Sequence, residues 1–310
     1  MKFRVAITRT NFGIEKAVKN AIGLLGGINQ FLEPGETVLL KPNLFNVQPP
    51  ESGCTTDLRI LKATAELLKE QGNHCIVGEC PATASYTRPE MVYKAHNVQE
   101  FCEDTGIEMR VLDRDPPVKC TTAGKVLDTF HFPETATENP VINFTKLNTH
   151  ALTTLTCAVK NVFGLQQGGT KSHHQVSVSN DPEAFNHLLL DIYTAIEPQI
   201  RLNIVDAHIA MEGEGPAAGE PVPLGLIIAG DNAVAVDLVA SAIMGWDPQE
   251  EVGTNYLAKH RGIGPSGLDE IEVLGEPIES VMRVFKKPEI HQDGEMFIKI
   301  RMPIYCDESK

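Results

Sequence analysis

The sequence predicts an α/β protein in which a mainly parallel sheet carries helices on both faces. Three observations lead there. Short β-branched apolar runs alternate with stretches whose apolar residues recur at helical spacing, the pattern of strand-helix repeats joined by right-handed crossovers. Glycine, proline, asparagine and aspartate punctuate the junctions. Over 310 residues, 42% are hydrophobic and 22% charged, enough for a large core, yet no apolar stretch approaches the ~18 residues of a membrane span.

Phe3–Ile7 reads as the first strand, and Gly13–Ile28 as a helix with Ala17, Ile22, Leu24 and Leu25 at helical spacing. Pro34-Gly35 is a turn before a buried strand, Thr37–Leu40, which ends at Lys41-Pro42-Asn43. Asp57 is placed to cap a helix running through Ile60, Leu61, Ala65 and Leu68 to Gly72. His74–Glu79 is the next strand, Glu90–Thr105 the next helix, and Glu108–Val111 a further strand. Alternation on either side of Thr122-Ala123-Gly124 predicts a β-hairpin over residues 118–132, outside the main sheet. The rhythm resumes at the strand Val141–Phe144, followed by a long polar segment to Asn180. Asp181-Pro182 opens a helix through Ile196. Strands follow at Leu202–Val205 and Leu226–Ala229, then a buried helix at Ala233–Met244 and closing strands at Ile271–Val273 and Met296–Ile300. One large α/β unit over residues 1–310 is expected, dividing at most into lobes 1–115 and 140–310.

The charge balance, 27 Lys+Arg against 41 Asp+Glu for a net −14, excludes general binding to a nucleic-acid backbone. Seven cysteines lie scattered at 54, 75, 80, 102, 120, 157 and 306 without a Cys-x-x-Cys pair, so neither a disulfide framework nor a self-contained ferredoxin module fits. The amino-terminal apolar stretch breaks at Thr8-Arg9-Thr10, short of a signal peptide, and the expected location is the cytoplasm.

Chemistry is sought at strand ends, because open α/β sheets bind ligands outside the carboxyl ends of their strands. Lys41, Asn43 and Asn46 follow one apolar strand and suit a carboxylate or phosphate. Glu79 ends another. Asn143, Lys146, His150, Lys160, Asn161, Lys171, His173 and His174 gather between positions 143 and 174 of an otherwise acidic chain. Histidines there would move protons or bind metal, and a lysine held near others loses its proton and becomes nucleophilic. Asp206, His208, Glu212 and Glu214 follow a later strand and are oxygen and nitrogen donors suited to a divalent cation. Asp237, inside an apolar helix, reads as a structural carboxylate anchoring the loops above it. Phosphate-loop, dinucleotide, nucleophile-elbow and zincin motifs are absent.

Together, Leu40-Lys41-Pro42-Asn43-Leu44, Gly78-Glu79, Asn143 to His150, Lys160-Asn161-Val162-Phe163-Gly164, Asp206 with Ala210 to Pro216, and Asp231 to Asp237 resemble the bacterial and archaeal family called domain of unknown function 362, over about residues 37 to 245. Some members of that family carry a ferredoxin-like segment, whose clustered cysteines this chain lacks. The stretch from His150 through Lys160 to His173 and His174 also resembles, more distantly, the nickel-pincer lactate racemase family. That resemblance implies a covalent cofactor anchor at Lys160, proton transfer at His150 and nickel at His173 or His174. Thr153 to Val159 departs from that family's Gly-rich context.

The functional expectation is an isomerase or lyase acting on a small anionic carboxylate or phosphate. Lys41, Asn43, Asn46, Asn161 and Lys171 would hold the anion, and His150, Lys160 and Lys146 would do the chemistry. His173, His174, Glu79, Asp206 and His208 would hold a divalent metal. The alternatives are an iron-sulfur or metal-handling accessory protein using Cys54, Cys80, Cys157 and the histidines, and a ligand-binding protein without catalysis. Neither nucleic acid nor membrane is an expected partner, and homo-oligomer formation is left open.

Overall fold

A computed structural model describes residues 2–82, 88–178 and 181–289 of the chain. The expected strand at Met296–Ile300 lies outside the described residues.

The first strands are short: β1 (Phe3–Arg9), β2 (Thr37–Lys41) and β3 (His74–Glu79) have apolar, buried centres, whereas β4 (Glu108–Val111), at the edge of the sheet, is half-buried. Between them run α1 (Ile14–Leu24), α2 (Leu58–Glu70), α3 (Glu90–Ala95) and α4 (Val98–Thr105). The first helix stops earlier than its spacing suggests, because Gly26 and Gly27 take φ of 102° and 93°. The helix expected over Glu90–Thr105 is two: Asn97 adopts a left-handed φ of 52°, a conformation asparagine tolerates, and breaks it. Asp57 caps α2 as expected, its carboxylate accepting from Arg59 N–H.

The hairpin of β5 (Pro117–Thr121) and β6 (Thr129–Pro133) forms its own two-stranded sheet, followed by α5 (Glu134–Glu138). The polar segment after position 144 is more ordered than its composition suggests. β7 (Val141–His150) continues to His150, β8 (Thr154–Thr156) folds back on it, and α6 (Ala158–Asn161) and α7 (Gly168–Ser177) follow. α8 (Pro182–Ile196), capped by Asp181, leads to β9 (Ile200–Glu212), β10 (Glu220–Val222), β11 (Leu226–Gly230) and the buried α9 (Ala233–Ile243). α10 (Gly253–Arg261), β12 (Ile271–Gly275) and α11 (Ile278–Val281) complete the described fold.

The strands form one ten-stranded sheet in the order β12-β1-β11-β9-β7-β2-β3-β4, with β8 on β7 and β10 on β9. Pairing is parallel from β9 across to β4 and between β1 and β12, and antiparallel on both sides of β11. The mainly parallel α/β architecture read from the sequence is therefore present, with an antiparallel insertion at β11. β11 returns against β9 instead of crossing over.

Strand alternation sorts side chains between two cores. Val38 and Leu40 face the core shared with α1 to α4, whereas Leu39 faces the core shared with α6, α8 and α9. The same period of two places Lys41, Asn143 and Asn203 on the α6 face, and Lys146 and Asp206 on the α2 face. Among the described residues no helix is long and apolar enough to cross a membrane.

Candidate functional site

The carboxyl ends of β2, β3 and β7 open into a cavity of about 330 Å3 closed by α6, α7 and α8. Beneath it lies a buried ion pair, Lys41 Nζ to Glu79 Oε2 at 2.6 Å. Lys41 also donates to the Pro42 carbonyl, 3.0 Å away. The Glu79 backbone is pinned by Tyr93, whose hydroxyl accepts from Glu79 N–H at 2.6 Å and lies 2.7 Å from its carbonyl oxygen. Burial pushes both members of the pair toward their neutral forms. The Glu79 carboxyl rises to about 7 although Lys41 and Lys171 oppose the rise, and the Lys41 ammonium falls although Glu79 supports it. Gly164 passes directly over the pair: a Cβ there would sit 2.4 Å from Glu79 Oε1 and 2.6 Å from Lys41 Nζ.

Lys160 and Lys171 enter the cavity from above the pair. Lys171 spends its ammonium on the carbonyls of Cys80 and Pro81. Lys160 is different. Its Nζ stands 5.3 Å from the Phe163 ring centre and 5.9 Å from that of Phe185, and among the described residues it has no hydrogen-bond or ion-pair partner. Burial pushes the amine down to about 8, with Lys171 and Lys41 adding repulsion and Glu79 opposing it.

The one-turn α6 that presents Lys160 is held from below. Asp237 on α9 accepts from Ala158 N–H at 2.6 Å and from Val159 N–H at 3.2 Å, satisfying two of the free donors at the helix start. Burial raises its carboxyl to about 7. The anchoring role read from the sequence is the one this geometry describes. Amides continue the support: Asn161 donates to Asn143 Oδ1 at 2.7 Å, and Asn143 donates to Asn203 Oδ1 at 2.9 Å.

Beyond a register shift in β7 at Lys146 to Asn148, Asn148 and His150 also line the cavity. His150 Nδ1 accepts from Leu152 N–H at 3.0 Å and Thr153 N–H at 3.3 Å, which places the proton of the neutral ring on Nε2. Two lining polar atoms are buried without a partner among the described residues, Asn148 Oδ1 and Thr156 Oγ. The Asn148 amide nitrogen is already donating to Gly53 O.

The structure thus brings together Asn43, Glu79, His150, Lys160, Asn161 and Lys171, with Lys41 directly behind them. The other candidates lie elsewhere. Lys146 and Asp206 form a second buried ion pair, 2.8 Å long, on the opposite face of the sheet. With His208 they line a separate cavity of about 100 Å3 under the start of α2. Asp206 further accepts from the backbone N–H groups of Asp57 and His208. Asn46 turns into its loop, its Oδ1 accepting from Gln48 N–H and its carbonyl facing His96. On α7, His173 is exposed. His174 packs edge-on against Phe130 of the hairpin, where burial pushes its ring down to about 4. Among the described residues no three His, Cys, Asp or Glu side chains converge as a metal site, so the set His173, His174, Glu79, Asp206 and His208 is dispersed. Cys54, Cys80 and Cys157 are separate free thiols: Cys54 lies against Gln48 and the Pro216 carbonyl, Cys80 lines the main cavity, and Cys157 adjoins Asp237.

Sequence reasoning passed over Phe45, Asn148, Phe163 and Phe185 as lining residues, and Asp113, a half-buried carboxylate that accepts from Gly168 N–H and feels the charge of Lys171. Phe163 stands three positions from Lys160, the span of one helical turn, which is a readable signal. Phe185 comes from α8 and carries none.

A family model described as Domain of unknown function (DUF362) matches residues 38–242, a span that contains every residue lining the main cavity. The chain is also 31% identical over 273 residues to Thylakoid-associated protein sll1697 of Synechocystis sp., a match covering 86% of this chain and 80% of that protein.

Proposed function

The chain belongs to the family described as domain of unknown function DUF362, and we propose that its main cavity is the active site of an isomerase or lyase acting on a small organic anion. One observation supports this above others: in a chain of net charge −14, Lys160 and Lys171 enter one small cavity whose lining carboxylate, Glu79, is already countered by Lys41. The site thereby keeps a positive excess where the surface as a whole is negative. Lys171 and the Asn43 amide orient the carboxylate or phosphate. His150, with its Nε2 proton, donates to an oxygen that gains charge, and Lys160 takes or returns a proton. The apolar rings beside the half-buried Lys160 limit its hydration and keep its amine partly neutral near pH 8. We place the protein in the cytoplasm, where its free cysteines stay reduced.

The test is thermal denaturation of the full chain against a panel of small mono- and dicarboxylates and phosphate esters. At least one should raise the midpoint, as any ligand specific to the folded state does. That rise should disappear in Lys171→Met and in Lys160→Met. A rise that survives both substitutions places anion binding elsewhere and refutes the reading.

A further inference from the structure

We propose that Lys160 is a nucleophile that condenses with the carbonyl group of a small hydroxylated oxo acid, holding it as an imine; this rests on the anion-binding reading of the same cavity. Three observations carry it.

Lys160 is the cation of the site without a partner. Lys41 is committed to Glu79, and Lys171 to two carbonyl groups, whereas Lys160 Nζ faces only the rings of Phe163 and Phe185 among the described residues. An ammonium so placed loses part of its hydration and meets Glu79 only as a through-space charge, outweighed by burial and by Lys171 and Lys41, so the neutral amine is favoured. The lowering to about 8 leaves about a tenth of the amine unprotonated at pH 7, some 300-fold more than at an ordinary lysine.

The ligand must also carry an anion, which Lys171, entering the same cavity, attracts because Lys41 already counters Glu79. Finally it must carry a hydrogen-bond donor. Asn148 Oδ1 accepts only, is buried in the cavity wall and has no donor facing it among the described residues, and Thr156 Oγ beside it is equally unpaired among them. A hydroxyl on the ligand satisfies both, donating to Asn148 and accepting from Thr156.

The condensation balances without an outside oxidant or reductant. The Nζ lone pair forms a bond to the carbonyl carbon while the carbonyl π pair moves to oxygen. A proton passes from nitrogen to that oxygen, a further proton is taken up, and water leaves as the C=N bond forms. The product is a cationic imine, stabilised by the ring faces of Phe163 and Phe185, and it draws electrons from the adjacent carbon as isomerase or lyase chemistry requires.

The experiment is borohydride trapping on the full chain with two probes, pyruvate and 3-hydroxypyruvate, read by intact mass and peptide mapping. Thermal shift with each probe is measured in parallel. The expected result is one reduced adduct per chain, mapped to Lys160, formed at least tenfold faster with hydroxypyruvate and fastest between pH 7 and 8. It should be absent in Lys160→Arg. Asn148→Leu and, independently, Thr156→Val should bring the hydroxypyruvate rate down to that of pyruvate. Adducts spread over surface lysines, or an adduct that persists in Lys160→Arg, would overturn the assignment. If the probes raise the midpoint but leave no adduct on reduction, the imine falls and the anion site stands. If they neither shift the midpoint nor react, both readings fail for this ligand class.

Discussion

Gly164→Ala is a one-methyl change whose sign separates local propensity from tertiary packing. Gly164 has no left-handed backbone to protect, since it is not among the residues with positive φ, and it sits in a short helical turn between Val162 and Leu165. On propensity alone alanine should therefore stabilise by about 0.5–1 kcal/mol. The structure demands the opposite. The new Cβ would fall 2.4 Å from Glu79 Oε1, 2.6 Å from Lys41 Nζ and 3.0 Å from Lys41 Cε, all inside van der Waals contact. Neither side chain is free to retreat. Lys41 is tied to Glu79 and to the Pro42 carbonyl, and Tyr93 holds the Glu79 backbone. Overpacking a tight site costs about 1–3 kcal/mol, and parting a buried ion pair approaches about 3–5 kcal/mol. After the propensity gain, a net loss of about 2–4 kcal/mol is expected in urea unfolding at pH 7.5, with the slope against urea unchanged. Anion-induced thermal stabilisation should weaken in parallel. A Gly164→Ala protein as stable as the wild type, or more so, would refute the placement of this turn over the Lys41 and Glu79 pair.

Asp237→Ala strips acceptors from the N–H groups of Ala158 and Val159, buried at the start of α6. At about 1–3 kcal/mol per orphaned donor the loss should be about 2–6 kcal/mol in the same unfolding assay, and a loss below 1 kcal/mol would show that α6 does not depend on it. Lys146→Met leaves Asp206 buried and unpaired, so it should destabilise by about 3–5 kcal/mol. Because that pair lines the other cavity, anion affinity measured by calorimetry should stay within about twofold of wild type, and a large drop would mean that the two cavities communicate. Anion affinity should also fall between pH 6.5 and 9. Glu79 loses its proton through about 7, and Lys160 its positive charge through about 8, both changes making the site less positive. One charge lost at such short range corresponds to about 10- to 100-fold in affinity, and a flat profile would contradict the arrangement.

Much of the site was legible because it lies where strands end. Lys41 and Glu79 each close an apolar run and Lys160 follows Ala158-Val159, while His150 stood out only by its place among the basic residues of the polar segment; a parallel sheet gathers such strand ends along one edge whatever its exact strand order. Their relations were not legible. Lys41 and Glu79 read as an anion holder and a metal ligand, but they are 38 positions apart and occupy each other. Lys146 sits in the same basic stretch as Lys160, yet the period of two along β7 turns it to the α2 face. His173 and His174 continue that stretch on α7, where the helix directs one to solvent and the other against Phe130.

The α/β class, the alternation of the main strands and helices, the hairpin over 118–132 and the helix starts at Asp57 and Asp181 were determined by the sequence by itself, since each rests on periodicities and cap chemistry contained within a few residues, whereas β8, α6 and α7, inside what reads as one polar segment, were not. Which lysine is left without an anion, which amide oxygen is left without a donor, and which carboxylate holds up the helix that presents Lys160 were decided only by the tertiary structure. Burial and partnership are set by pairs of residues far apart in the chain. The free energy of a charged or polar group depends on those neighbours, and a run of letters does not contain them.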